Sequence, residues 1–116
     1  MKIPGPDHPI TVAPTGHPVR VLAGGQEIAR TDDALTLSEA GYPPAQYLPR
    51  EAADMSKLQR SSRRTHCPYK GEAAYFHIVL DDVRIENAVW SYEDPYPAVG
   101  QIKGRLAFYP DRTQIV

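Results

Sequence analysis

The sequence of 116 residues lacks several features that define specialised classes of protein. Its single cysteine excludes an internal disulfide framework and a cysteine-rich zinc site. No apolar run is long enough to span a membrane and the N-terminus lacks the apolar stretch of a signal peptide, so a cytoplasmic protein without membrane contact is expected. The 13 basic and 14 acidic residues give a net charge of −1, which disfavours a general nucleic-acid-binding role.

Motifs of the common catalytic and cofactor sites are also missing. Gly24 and Gly25 are not followed by the Gly-Lys-Ser/Thr of a phosphate-binding loop, and no Gly-x-Ser-x-Gly occurs. His8 and His17 have no further ligand at metal-binding spacing. The sequence therefore indicates neither a metal nor a cofactor, and it leaves open whether the protein is an enzyme.

Proline, in contrast, is abundant, with 12 residues. The first 18 residues contain a group of them: Pro4, Pro6, Pro9, Pro14 and Pro18. Because proline fixes φ and lacks a backbone donor, residues 1–18 are predicted to form an extended arm along a sheet edge, with Ile10 and Val12 on one face. The whole chain, residues 1–116, is interpreted as one β-rich domain.

Alternating apolar residues predict a mainly β fold of about seven to nine short strands joined as antiparallel hairpins. The strongest strand covers residues 72–80, and its predicted core face carries Ala74, Phe76, Ile78 and Leu80. Gly24-Gly25 predicts a hairpin turn, because glycine accepts a positive φ without steric cost.

One short helix is predicted near residues 50–59. Leu48, Ala52, Met55 and Leu58 recur at helical spacing, and Pro49 suits a first-turn position. The prediction thus places a single helix within an otherwise β-rich chain.

Residues 55–71 contain no acidic residue. Their cations are Lys57, Arg60, Arg63, Arg64 and Lys70. Such a segment is either an anion-binding rim, for phosphate or carboxylate, or an ordinary solvated basic surface.

Cys67 lies within this basic segment, three residues from both Arg64 and Lys70. Nearby positive charge favours the thiolate, so Cys67 is a candidate nucleophile, although a free cysteine is more often a small buried residue. Just before the predicted helix, Arg50 offers a guanidinium fork for a ligand and Glu51 a carboxylate acceptor. Alternatively both residues close the fold, Glu51 by interacting with the helix dipole.

Residues 87–92 form an aromatic strand with polar neighbours. Trp90 and Tyr92 share one face and belong either to the core or to the wall of a ligand cleft. Asn87 and Tyr69 are further candidates for ligand contacts.

Four segments in their order and spacing resemble a bacterial family known as domain of unknown function family 427. They are residues 47–51 (YLPRE), 65–75 (THCPYKGEAAY), 87–92 (NAVWSY) and 104–109 (GRLAFY). The resemblance runs from about Val19 to the C-terminus. It implies a compact two-sheet fold of the β-tent type, similar to the thalidomide-binding domain of cereblon.

The resemblance also implies where a ligand would lie. By analogy, Trp90 and Tyr92 would line a cleft between sheets, with Arg50, Cys67 and Lys70 at its rim. Some β-tent relatives hold zinc with four cysteines, which this chain does not have. The family is sometimes labelled nucleotidyltransferase-like, but the glycine-serine and paired-aspartate elements of such a site are absent.

The expected function is binding of a small polar or anionic metabolite, held by Arg50 and Lys70 between Trp90 and Tyr92. Cys67 or Glu51 would be the reactive group if a reaction takes place. Two alternatives stay open: a module that binds a peptide or a modified side chain, and a structural homodimer that pairs its edge strands.

Overall fold

The structure, a computed structural model, describes all residues from 1 to 116 and contains ten strands. In chain order the strands are β1 (Ile10–Pro14), β2 (Val19–Ala23), β3 (Gln26–Thr31), β4 (Leu35–Glu39), β5 (Ala45–Tyr47), β6 (Leu58–Cys67), β7 (Gly71–Val79), β8 (Arg84–Ser91), β9 (Ala107–Phe108) and β10 (Gln114–Ile115). The prediction of a mainly β fold is confirmed. The number of strands exceeds the seven to nine expected, because the sequence pattern predicts neither β5, a three-residue strand, nor β6, which lacks apolar alternation.

The strands form three antiparallel sheets, one more than expected. Their orders are β1-β4-β5, β10-β2-β3 and β6-β7-β8-β9. The third sheet arises because β1, from the proline-rich arm, pairs with β4 from Ile10↔Glu39 to Pro14↔Leu35. Ile10 and Val12 of this strand are both partly buried, as their shared face predicted.

The Gly24-Gly25 turn joins β2 to β3 as predicted. Both glycines have a positive φ, 54° and 79°, which is the backbone that a tight hairpin turn needs. A Cβ at Gly24 would lie 2.9 Å from the side chain of Leu80, so this turn also approaches another strand connection closely.

The helix expected near residues 50–59 is present only as two separate 3₁₀ turns, Arg50–Ala52 and Met55–Lys57. Asp54 lies between the turns, and its carboxylate accepts a hydrogen bond from the Ser56 N–H at 3.1 Å. The apolar spacing does not extend further as a helix because Leu58 pairs with Ile78 and begins β6. Tertiary strand pairing here overrides a short helical pattern.

Two buried clusters lie against opposite faces of the four-stranded sheet. The first, the hydrocarbon core, contains only aliphatic and phenylalanine side chains: Val19, Val21, Ala23, Ile28, Ala29, Ala34, Leu48, Phe76, Ile78, Leu80, Ala88, Val89, Leu106 and Phe108. The second, the tyrosine core, contains Leu37, Tyr47, Ala73, Tyr75, Tyr92, Val99, Ile102 and Ala107. The hydrocarbon core thus includes Phe76, Ile78 and Leu80 from the predicted core face of β7, and the fourth residue of that face, Ala74, is also buried.

None of the helical segments is long and apolar enough to cross a membrane.

Candidate functional site

A polar cleft of about 350 Å³ lies where the segment after β5 meets the segment before β9. It is lined by Asp33, Pro49, Arg50, Glu51, Lys103, Gly104 and Arg105, and none of these is hydrophobic. Two of the residues that the sequence singled out, Arg50 and Glu51, therefore share one concave surface. Asp33, Lys103 and Arg105 are additions that sequence reasoning missed.

A short backbone bridge brings the two segments together. Leu48 N–H donates to the Leu106 carbonyl at 2.8 Å, and Leu106 N–H donates to the Leu48 carbonyl at 2.9 Å. Gly104 stands at the turn with a φ of 71°, which favours glycine. Because both Leu48 and Leu106 are fully buried, the bridge fixes the cleft walls to the hydrocarbon core.

Arg50 is anchored through all parts of its guanidinium group. Its Nε donates to the Gly104 carbonyl at 3.0 Å, its Nη2 to the buried Ser91 hydroxyl at 3.0 Å, and its Nη1 lies 3.1 Å from a Glu93 carboxylate oxygen. Its guanidinium carbon also lies 5.4 Å from the ring centre of Phe76. Arg50 therefore lines the cleft in an orientation that contacts within the protein already fix.

Glu93 joins Arg50 to a second arginine. Arg60 donates to both Glu93 carboxylate oxygens, at 2.9 and 2.8 Å, and stands over the same Phe76 ring. The bonds from Arg60 hold the pKa of Glu93 below its usual range, so this carboxylate stays charged.

Arg105 is similarly engaged, whereas two charged groups of the cleft are free. The Arg105 Nη1 donates to the Asp33 carbonyl at 2.6 Å, and its Nη2 lies 3.3 Å from the Asp33 carboxylate. Lys103 and Glu51 have no hydrogen bond or ion pair through their side chains in the structure. They are the cation and the carboxylate of the cleft that remain available to a ligand.

Lys70, the second cation expected to hold an anion, lies elsewhere and is already paired. It forms a buried ion pair with Glu39, and each side chain is about 10% exposed. The other Glu39 oxygen lies 2.7 Å from His8 Nε2. Burial opposes ionisation of Glu39, but the bonds from Lys70 and His8 outweigh it and lower its pKa.

Tyr69 packs against His8, the second partner of Glu39. Its ring stacks on His8, with ring centres 4.0 Å apart and planes within 7° of parallel. The backbone N–H of Lys2 donates to the Pro68 carbonyl at 2.7 Å, so the N-terminal arm is attached beside Tyr69. Tyr69 and Lys70 are thus joined to the arm.

Trp90, Tyr92 and Cys67 meet at the tyrosine core. Lys70 Nζ lies 5.8 Å from the ring centre of Tyr92, Trp90 Nε1 donates to the Tyr47 hydroxyl at 3.1 Å, and Cys67 packs partly buried against the cluster. Burial raises the pKa of both the Tyr47 and the Tyr92 phenols above their ordinary value. The structure therefore brings four predicted residues together here: Cys67, Lys70, Trp90 and Tyr92.

Asn87 lies apart from both groups. It has a φ of 50°, its backbone N–H donates to His77 Nδ1 at 3.0 Å, and its side-chain oxygen accepts from Ser61 at 2.6 Å. Asn87 lies in a bulge of β8, because the pairing with β7 passes from Phe76↔Val89 to Ile78↔Ile85, and its polar groups are bonded within the fold. The predicted site residues are thus divided among the cleft, the tyrosine core with its ion pair, and the bulge.

A family model described as "Domain of unknown function (DUF427)" matches residues 11–116. The match covers the cleft and the tyrosine core, whereas His8 precedes it. No curated protein matches the sequence.

Proposed function

The chain belongs to the DUF427 family, and from that premise, which carries no activity, we propose that it binds a small polar anion in the cleft. The observation that carries the proposal is the lining of the cleft. Three cations, Arg50, Lys103 and Arg105, face two carboxylates, Asp33 and Glu51, and no hydrophobic side chain contributes.

The pairing of these charges defines the ligand more closely. Arg50 and Arg105 are held by Glu93 and Asp33, so they present fixed donors rather than unpaired charge. Lys103 supplies the free cation and Glu51 the free acceptor. A carboxylate or phosphate ester that also carries a hydroxyl or amino donor satisfies both groups at once. The cleft volume of about 350 Å³ lies near the lower end of ligand sites, which suits a metabolite of few atoms.

The proposal is tested with inorganic phosphate and with malate, a hydroxylated dicarboxylate, by following backbone amide shifts in nuclear magnetic resonance titrations. We expect saturable shifts at Glu51, Lys103 and Gly104, with malate bound more tightly than phosphate. Lys103→Gln should weaken malate binding about fivefold, because one exposed charge contact is removed.

Arg64→Gln is the matched control. Arg64 is also an exposed cation without an ion pair, but it does not line the cleft. It should leave malate binding unchanged. The proposal fails if neither probe gives saturable shifts, or if both substitutions reduce binding equally.

A further inference from the structure

β6 is an edge strand with an open outer side. It stands at the end of the order β6-β7-β8-β9 and pairs with β7 at residues 58–60 and again at 64–67, and the register shifts across residues 61–63 between these two stretches. Apart from the Arg63 N–H, which donates to the Ser61 hydroxyl, no hydrogen bond outside the sheet involves the backbone of residues 59–66. Such an edge presents unpaired N–H and C=O groups to another extended chain.

The same strand carries positive charge that the rest of the chain does not neutralise. Arg60 is paired with Glu93, but neither Arg63 nor Arg64 contacts a carboxylate. Arg63 lies over the Tyr75 ring, 5.0 Å from its centre, and the Arg64 side chain makes no hydrogen bond or ion pair. Residues 55–71 contain no acid, although the whole chain has a net charge of −1. The edge is therefore complementary to an acidic partner.

The two free arginines lie on opposite faces of this edge. Arg64 stands opposite Ala74, whereas Arg63 reaches Tyr75, the next residue of β7, whose side chain points to the other face. A strand added beside β6 would also alternate its side chains between the two faces. Two adjacent acidic residues of that strand would then reach both arginines.

We propose that the outer edge of β6 binds an extended acidic peptide as an added strand. A second copy of this chain fits less well, because antiparallel pairing of two β6 strands would place arginines beside arginines. A nucleic acid would use the charge but not the backbone groups of the strand edge. This proposal does not depend on the cleft, whose lining includes no residue of β6.

The first experiment measures fluorescence anisotropy of a labelled peptide of about ten residues in which glutamate pairs alternate with valine pairs. A peptide with glutamine in place of glutamate is its matched control. The acidic peptide should bind at least about tenfold more tightly than the control, because two charge contacts are lost in the latter. Arg64→Glu should weaken binding about tenfold, while Lys103→Gln should leave it unchanged. Equal binding of the two peptides would overturn the proposal.

The second experiment separates strand pairing from charge alone. An acidic peptide with the same charge but with backbone N-methylation at alternate positions cannot donate to the strand edge. We expect it to lose most of the affinity, and we expect the unmodified peptide to slow amide hydrogen exchange within residues 64–67. Undiminished binding of the N-methylated peptide would refute an added strand.

The remaining outcomes concern other occupants of the edge. If a single-stranded oligonucleotide binds more tightly than the acidic peptide and loses its affinity in Arg64→Glu, the partner of this edge is a nucleic acid and the peptide proposal is wrong. If sedimentation shows a dimer that Arg64→Glu dissociates, the partner is a second copy of this chain and the peptide proposal is wrong. If malate binds and the peptide does not, only the β6 proposal is refuted. If the peptide binds and malate does not, only the proposal of ligand binding in the cleft is refuted.

Discussion

The two cores differ in chemistry although they pack on the same sheet. The hydrocarbon core contains no hydroxyl group, no charge and no tyrosine among its fourteen buried residues. The tyrosine core has three buried tyrosines, has Trp90 and Tyr109 packed beside it, and adjoins the Lys70–Glu39 ion pair. The first is held by burial of apolar area, whereas the second depends on hydrogen bonds and charges whose partners must all be present.

The tyrosines themselves show how strongly the second region depends on its contacts. Burial raises the pKa of Tyr109 to about 12, with a further contribution from its hydrogen bond to Tyr75. Burial also acts on Tyr75, but the Thr65 hydroxyl at 2.8 Å and Arg63 outweigh it and lower the pKa. Neighbouring phenols in one cluster thus have different proton affinities, which the hydrocarbon core cannot provide.

The largest expected effect comes from breaking the buried ion pair. Lys70→Met should lower the free energy of unfolding by about 3–5 kcal/mol, because it leaves Glu39 buried without its main partner. Urea unfolding followed by circular dichroism measures the change. The double variant Lys70→Met/Glu39→Leu should recover most of the loss, since neither charge then remains buried. A loss below about 1 kcal/mol in the single variant would show that the pair is not coupled.

A smaller effect is expected from one conservative substitution in each core. Tyr47→Phe should cost about 1–2 kcal/mol, because the Trp90 N–H loses its acceptor. Ile78→Val in the hydrocarbon core should cost about 1 kcal/mol through a lost methylene group.

Trp90 is the only tryptophan, so its fluorescence distinguishes the two variants. Tyr47→Phe should shift the emission, whereas Ile78→Val should not. An identical emission spectrum in both variants would argue that the Tyr47–Trp90 bond is unimportant in solution.

The smallest effect is confined to acidic solution. The folded pKa of Glu39 lies below its ordinary value of 4.5, so its stabilising contribution is complete above that pH and is lost as the pH falls through the folded pKa. Urea unfolding at a series of pH values should therefore show a steeper acid loss in the wild type than in Lys70→Met/Glu39→Leu. Parallel curves would assign the acid sensitivity to other carboxylates, such as Glu93.

Local alternation predicts what β7 contributes to the hydrocarbon core but not what it contributes to the tyrosine core. Alternation along β7 predicts that Ala74, Phe76 and Ile78 are buried, and they are. It does not predict that Ala73 and Tyr75 are buried on the other face, because that face is covered only once β1, β4 and β5 form a sheet of their own. Burial on two faces is a tertiary property.

The sequence pattern does not predict β6, for a related reason. As an edge strand it has polar residues along both faces, so no apolar alternation marks it, and its first two residues fall within the helix predicted near residues 50–59. The cleft was found in part: Arg50 and Glu51 stand out beside Pro49, but Asp33, Lys103 and Arg105 join them only through tertiary contacts.

The Leu48–Leu106 bridge sets an order of events during synthesis. The donors that fix Arg50 find their acceptors at Ser91, Glu93 and Gly104, so the N-terminal half of the chain cannot orient this side chain by itself. Contacts so distant in sequence form late, because a long loop must close first. The cleft consequently forms only after residue 106 has left the ribosome, and malate binding would report that the segment from Lys103 to Leu106 has docked on the rest of the chain.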